Sequence, residues 1–327
     1  MPMNRRTLIA AGAATLLAAP ATLRAQSPTL IKIGHGHSER HSFHLAVVRF
    51  GELVNQKTSG AYRMQIFPSS QLGSEREMQE QTALGTLELT VTGVLNIFEP
   101  QLALLELPYL FRDRAHILAA QASPTVQNLS ASLPQRGVRL VGFLENGFRN
   151  ITTGNRAINA PADLRGMKIR TPENAAQVET FRALGANPTP MPFSELYSAL
   201  RQGVVDGQEN PLQNIFDGKL FEVQRHLALT GHIYNSAYVV ANAGFLQRQT
   251  EPRRRAIQEA LDEACRWQFD MIAARDGELL QELQRAGMQV TRPDQEAFRT
   301  ATRGAYDAFY TRFGDNARRF VAAVQAL

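Results

Sequence analysis

The stretch from Pro161 to Pro211 constrains the fold more than any other, because it changes its apolar period four times within a short span. Met167–Arg170 is a short apolar run halted by Thr171-Pro172, a pair that biases the chain away from helix. Ala175, Val178, Phe181 and Leu184 then recur at the spacing of one helix face, and Gly185 stands where a left-handed cap belongs. Ser194 is a suitable N-cap for a second helix ending at Gly203, after which Val204-Val205-Asp206-Gly207 starts another strand. Strand, helix, strand, helix, strand predicts a parallel sheet with right-handed crossovers, hence an α/β fold. Ligands of such sheets bind in the crevice outside the carboxyl ends of the strands. Arg170 ends one strand and Gln208-Glu209-Asn210 ends another, so a cation and an amide converge there. From the residues alone, Arg170 is either a solvated strand end paired with Glu173 or Asp163, or an anion hook in that crevice.

The words G-M-K-I-R-T-P, L-G-A-N-P-T-P-M-P-F-S-E-L-Y and V-D-G-Q-E-N-P, in this order, resemble the signature of the solute receptors of TRAP (tripartite ATP-independent periplasmic) transporters of the DctP type. The resemblance extends over nearly the whole chain beyond its first residues and is densest at 145–235. It implies a two-lobed periplasmic binding protein fold, each lobe a sheet flanked by helices, with a long bracing helix. It implies that Arg170 holds a ligand carboxylate, that Asn210 joins it and that Phe193 lies against the ligand. The lobes are expected at 26–146 with 235–270 and at 147–234 with 271–327. The helix at about 252–286, beginning at Pro252 with Ile257, Leu261, Ala264, Trp267 or Gln268, and Met271 in helical register, would span both. The tail from 291 reads as helix on the second lobe.

The first 25 residues have the three-part pattern of a secretory signal: Arg5-Arg6, an apolar run from Leu8 to Ala19, and small residues up to Ala25. The run is too short to span a bilayer permanently, and Arg5-Arg6-Thr7 fits a twin-arginine variant of export. Cleavage is expected after Ala21 or Ala25, releasing a soluble periplasmic protein. Of 35 basic residues three lie in this segment, leaving 32 against 30 acidic ones, a balance that gives no reason to expect a nucleic-acid partner. Cys265, the sole cysteine, cannot form an internal disulfide and sits in a helical pattern as core filling.

Four of the seven histidines fall in His35–His44, between a strand at Leu30–Gly34 and a helix at Phe43–Val54. His37 and His41 share a helical spacing, so zinc is a possibility to weigh, yet no His-Glu-x-x-His word occurs. The Gly34-x-Gly36 pair is no dinucleotide fingerprint, because Glu39 stands where its third glycine belongs. His35, at the strand end, is expected on the pocket rim. A strand at Tyr62–Phe67 leads through P-S-S-Q-L-G-S-E to a helix ending at Leu84-Gly85, and a third strand at Leu87–Thr92 ends at Gly93. Resemblance makes Glu75 a contact for a ligand hydroxyl; read physically, it is an acid favouring a helix N-terminus. Leu107-Pro108-Tyr109-Leu110-Phe111 reads as core. A strand at Val138–Leu144 leads to G-F-R-N-I-T, where the chain resembles the family's crossing into its second lobe, and Arg149 is implied as a second ligand-facing arginine. Strands at Leu227–Thr230 and Tyr234–Val240 bracket Gly231-His232 and are expected to return through the first lobe.

The resemblance therefore implies a receptor that captures a small organic acid by an arginine–carboxylate pair, closes by hinge bending, and delivers it to the membrane permease subunits. No cofactor or metal is implied, and a monomer is expected over a dimer. Relatives selective for sialic acid carry asparagine after the R-x-P word and glutamate at the third strand end. This chain has Glu173 and Gly93 there, which points away from sialic acid and leaves C4-dicarboxylates, sugar acids and hydroxy or keto acids open. Glu173 remains a candidate contact. Two other readings stand beside this one. An exported enzyme acting on an acidic substrate lacks any G-x-S-x-G, His-Glu-x-x-His or P-loop word, and a metal-uptake receptor would use the His35–His44 loop.

Overall fold

Residues 27–327 are described by the computed structural model; the export signal expected over residues 1–25 lies outside the described residues. β1 (Thr29–His35), β2 (Tyr62–Phe67) and β3 (Leu89–Thr92) run parallel, with α1 (Ser42–Lys57) and α2 (Glu75–Leu84) as the crossovers. The helix ends are set by local chemistry. The His41 ring accepts the Phe43 N–H at the start of α1. Ser74 and Glu77 form a capping box at α2, which stops at Gly85 in the left-handed region. A 3-10 segment at Pro100–Glu106, α3 (Arg114–Ala122) and α4 (Pro124–Leu129) follow, with Leu107, Leu110 and Phe111 buried as expected.

β4 (Val138–Thr153) departs from the expected short strand at Val138–Leu144: it continues for sixteen residues. The region of densest alternation then supplies β5 (Lys168–Thr171), α5 (Ala175–Ala183), β6 (Asn187–Pro190), α6 (Phe193–Arg201), β7 (Gly207–Asn210) and α7 (Leu212–Asp217). Ser194 is not the cap of α6. Pro192, held at φ −56° and ψ 151°, fixes the entry, so the helix begins at Phe193. The strand expected from Val204 begins at Gly207, after a tight turn in which Asp206 bonds the Lys168 backbone. β8 (His226–Asn242) replaces two expected strands with one, because Gly231 at φ 54° bends the chain without ending it.

β4 and β8 pair antiparallel along their length, with register shifts at Leu140/Gly142, Glu145/Gly147 and Arg149/Ile151. They tie the two groups of parallel strands into one sheet of order β2-β1-β3-β8-β4-β7-β5-β6. The start of β8 pairs with β9 (Gln289–Thr291) and lies beside the second group, so Leu227–Thr230 does not return through the first half of the molecule as expected.

Between β8 and β9 come α8 (Ala243–Gln247) and α9 (Glu251–Arg285). α9 places Ile257, Leu261 and Ala264 in the core beneath β1 and β3, and Leu280 and Leu283 in the core of α6 and α7, so it braces both halves. Midway, Gln268 is fully buried and bonds both the N–H and C=O of Glu145 and the Ser42 hydroxyl, while Trp267 remains part-exposed. Cys265 packs as expected against the first core. The tail comprises α10 (Gln295–Ala301), α11 (Arg303–Phe313) and α12 (Asp315–Gln325). It does not pack on the second half alone: α11 lies on α5, but Phe320, Val321 and Val324 of α12 join the core of Leu102–Leu105 and Ile117.

Candidate functional site

The carboxyl ends of β1, β3, β5 and β7 face one cleft at the bends of β4 and β8. Its walls include Arg170, Arg149, Asn210, Phe193, Glu173 and Glu75 among the residues expected from sequence, together with His37, Gln79, Gly93, Asn146, Asn214 and Asn235. His35 is not in the wall. It is fully buried behind it, its Nε2 3.1 Å from Nδ1 of His44 and its Nδ1 accepting the His37 N–H, because β1 runs one residue further than its apolar pattern and carries His35 inward. Glu173 is exposed at the mouth.

Arg170 is 2% exposed and has no carboxylate partner. Its Nε and Nη2 both donate to the Met191 carbonyl, at 3.0 and 2.7 Å, which fixes the guanidinium plane. Nη1 is buried and has no hydrogen-bond partner among the described residues. Since a guanidinium carries five N–H donors in a planar fork, the end formed by Nη1 and the second Nη2 hydrogen is left free. Burial and the nearby Arg149 charge push the Arg170 pKa down to about 10 against the fields of Glu209, Glu75 and Glu173, so the side chain stays cationic at neutral pH. The Phe193 ring lies 6.0 Å from the guanidinium carbon and covers one side of it.

Arg149, 1% exposed, is in the opposite condition. Its Nε and Nη2 form a two-pronged pair with Glu209, at 2.5 and 2.9 Å, and Nη2 also reaches the Glu209 carbonyl and the Asn210 Oδ1. Only Nη1 faces elsewhere, 3.4 Å from Asn235 Oδ1. Burial works against the ionised form of Glu209, but Arg149 and the hydrogen bond from His232 overcome it and hold the carboxyl below its usual range. The pair forms because β7 runs antiparallel to β4 with Ile151 opposite Glu209, while the bulge at Arg149/Ile151 turns the arginine towards it.

Across the cleft, Glu75 turns away from the capping of α2, a task performed by Glu77, and its Oε2 accepts from the Thr92 hydroxyl at 2.8 Å and the Gly93 N–H at 3.0 Å. Burial raises its pKa, against these two bonds and the fields of Arg170 and Arg149. Behind it Glu106 is buried with one oxygen unpaired, and burial pushes it up to about 8. Asn235 bonds Asn146 and the Gly93 carbonyl and joins the two walls. One face thus offers a free cationic fork, the other a carboxylate and several amides: a setting for a molecule with an anionic end and a hydroxylated or amide-compatible body.

The histidine loop is committed to itself and to the opposite wall. The rings of His37 and His41 stack at 4.0 Å, His37 lies 4.8 Å from Phe193, and Nε2 of His41 is 2.9 Å from Oδ1 of Asn214. Sequence reading missed Glu209, although it stands inside the Q-E-N-P word, as well as His37 and Asn235. The Asn235-Ser236 pair, polar within the strand pattern Tyr234–Val240, was the available signal for the last.

Residues 33–312 match the sequence pattern of the DctP family, bacterial extracellular solute-binding protein, family 7. The chain is 33% identical over 283 residues to the 2,3-diketo-L-gulonate-binding periplasmic protein YiaO of Escherichia coli K12, covering 86% of this chain and 85% of that one. A TRAP periplasmic solute-binding protein from Polaromonas sp. JS666, solved with bound D-erythronate, superposes with a TM-score of 0.87 at 35% identity over 91% of this chain and 99% of its own. One from Roseobacter denitrificans, solved with L-galactonate, gives 0.85 at 32% identity over 91% and 99%.

Proposed function

From the premise that this chain belongs to family 7 of the bacterial extracellular solute-binding proteins, we propose that it is a TRAP receptor for a sugar acid, taken by the Arg170 fork. The observation that carries the reading is the buried Arg170 with no carboxylate in contact and, among the described residues, with Nη1 unpaired. Leaving such a donor unmatched is costly, and a carboxylate supplies both the charge and the two-pronged geometry. Arg149 would contribute Nη1 to a second oxygen, Asn210 a hydrogen bond, and Phe193 a shield from water. Glu75 faces the far end, where it would accept from a hydroxyl. The acids bound by the relatives, D-erythronate, L-galactonate and 2,3-diketo-L-gulonate, share a carboxylate and a polar body, and this supports a sugar acid over a plain C4-dicarboxylate.

In this reading the two halves, 26–146 with 235–270 and 147–234 with 271–327, close around the ligand by bending at β4 and β8. The closed form is offered to the membrane permease, and the receptor works as a periplasmic monomer without cofactor or catalysis. Among the described residues no helix is long and apolar enough to cross a membrane.

A thermal-shift screen against D-erythronate, L-galactonate, D-glucuronate, 2,3-diketo-L-gulonate and succinate, followed by calorimetry, tests the proposal. At 100 times its Kd a ligand stabilises by about 2.7 kcal/mol, a shift of a few degrees. The expected result is stabilisation by at least one polyhydroxy acid. No response to any of the five, or recovery of a chemically altered acid, overturns it.

A further inference from the structure

The cleft wall contains a hydrogen-bond chain that starts outside it. At the start of α1 the Phe43 N–H donates to Nδ1 of His41, so the ring proton is on Nε2, which donates to Oδ1 of Asn214 on α7. The Asn214 amide donates in turn to Oδ1 of Asn210 at 3.0 Å, and Nδ2 of Asn210 donates to Gln208 at 2.5 Å. With its oxygen already taken by Asn214 and Arg149, Asn210 has one amide hydrogen left and can meet a ligand only as a donor. His41 belongs to the loop after β1, and Asn214 to the helix after β7. The bond therefore crosses from one half of the molecule to the other, over 173 residues of chain, and is buried. The His37 ring, stacked on His41 and packed on Phe193, makes a second contact across the same seam.

We propose that His41 is a positioning residue for ligand capture: through Asn214 it latches the two halves together and fixes Asn210 as a donor, and protonation of its ring works against that arrangement. The proposal rests on the reading that the cleft binds an acid. The physical reason for the proton dependence is geometric. A proton added at Nδ1 of His41 would face the Phe43 N–H, removing the cap of α1 and setting a cation against the positive end of that helix. The charged or titratable groups reaching His41 are His35 and His37 in its own loop, with His44 behind them, and Asp217 at the end of α7. Burial, outweighing the opposing field of Asp217 and the Asn214 hydrogen bond, lowers His41 from 6.5 to about 4. Since the depressed value belongs to the latched state, closure is unpenalised above 6.5 and progressively opposed as pH falls from there towards 4.

The test compares wild type, His41→Phe, Asn214→Leu and the double variant by calorimetry with the tightest of D-erythronate, L-galactonate and D-glucuronate, from pH 7.5 to 5.0. Carboxylic acids stay ionised over most of that range. Each single variant should bind about 5- to 10-fold more weakly at pH 7.5, chiefly through faster release, the loss expected for about one net hydrogen bond. The double variant should be no weaker than either single, because both cut one relay. Wild type should lose on the order of tenfold more affinity on acidification than His41→Phe, which keeps only the slope owed to the other histidines. Losses that multiply in the double variant, or an unchanged pH slope in both single variants, would overturn the latch while leaving acid binding intact. Failure of all three acids to bind wild type would overturn the acid-binding reading and the latch with it.

Discussion

Arg149 and Arg170 are both almost wholly buried and line the same cleft, yet they have opposite surroundings. Arg149 meets Glu209 in a two-pronged pair, with His232 behind it and Asn210 and Asn235 at its edges. Arg170 meets one backbone carbonyl and an aromatic ring. Burying a cation costs several kcal/mol unless something repays it. For Arg149 the protein itself supplies the partner, so the residue is scaffold with one donor to spare. For Arg170 no carboxylate among the described residues does so. An arginine in a cleft is thus weak evidence of a ligand contact by itself; what separates the two is the bookkeeping of their donors.

The largest effect that could break this comparison is on the fold. Arg149→Ala strands the Glu209 carboxylate in a buried site and should cost roughly 3–5 kcal/mol of stability in urea unfolding. Replacing the pair together, Arg149→Met with Glu209→Leu, should recover most of that loss, since similar-sized apolar residues often do as well as a buried ion pair. The next effect is on binding. Arg170→Ala should weaken the best acid ligand by about 30-fold or more, from roughly 2–5 kcal/mol for a lost charged partner. Arg170→Lys should not restore it, because an ammonium lacks the planar fork. The ligand-free Arg170→Ala protein should be at least as stable as wild type. If it is instead destabilised as much as Arg149→Ala, the two arginines are not different in kind.

Much of the fold was legible because its signals are local. The alternation around Arg170, the end of α2 at Gly85 and the proline-led α9 each depend on neighbours a few residues apart. Of the candidate site, the short words named residues that share a cleft: Arg170, Asn210 and Phe193 all line it. The rest depended on contacts distant in sequence. Glu209 finds Arg149 across 60 residues through an antiparallel register that a strand pattern does not specify. Gly147 and Gly231 read as breaks, but at φ 118° and 54° they bend strands that continue, so β4 and β8 appeared as pieces. The histidines of the first loop have the side chains of a zinc site and are used as a helix cap, a stack and a bond across the seam.

The smallest effect is the most informative about the ligand, because its sign differs between classes of acid. Glu75 faces the cleft opposite the free arginine fork, with Oε2 occupied by Thr92 and Gly93. In Glu75→Gln the side-chain oxygen can keep both of those bonds, leaving an amide donor where the carboxylate accepted. A polyhydroxy acid that donates a hydroxyl to Glu75 would exchange a charge-assisted hydrogen bond for a neutral one, a loss of about 1 kcal/mol or fivefold. A dicarboxylate held by Arg170 would bring its second charge towards Glu75. At about 4 Å, near a surface, two like charges oppose each other by roughly 4 kcal/mol before screening, so the same substitution would strengthen its binding. Calorimetry of Glu75→Gln with D-glucuronate and with succinate should therefore move the two affinities in opposite directions. Weakening of both by the same factor would mean that Glu75 shapes the wall through Thr92 and Gly93 and does not meet the ligand.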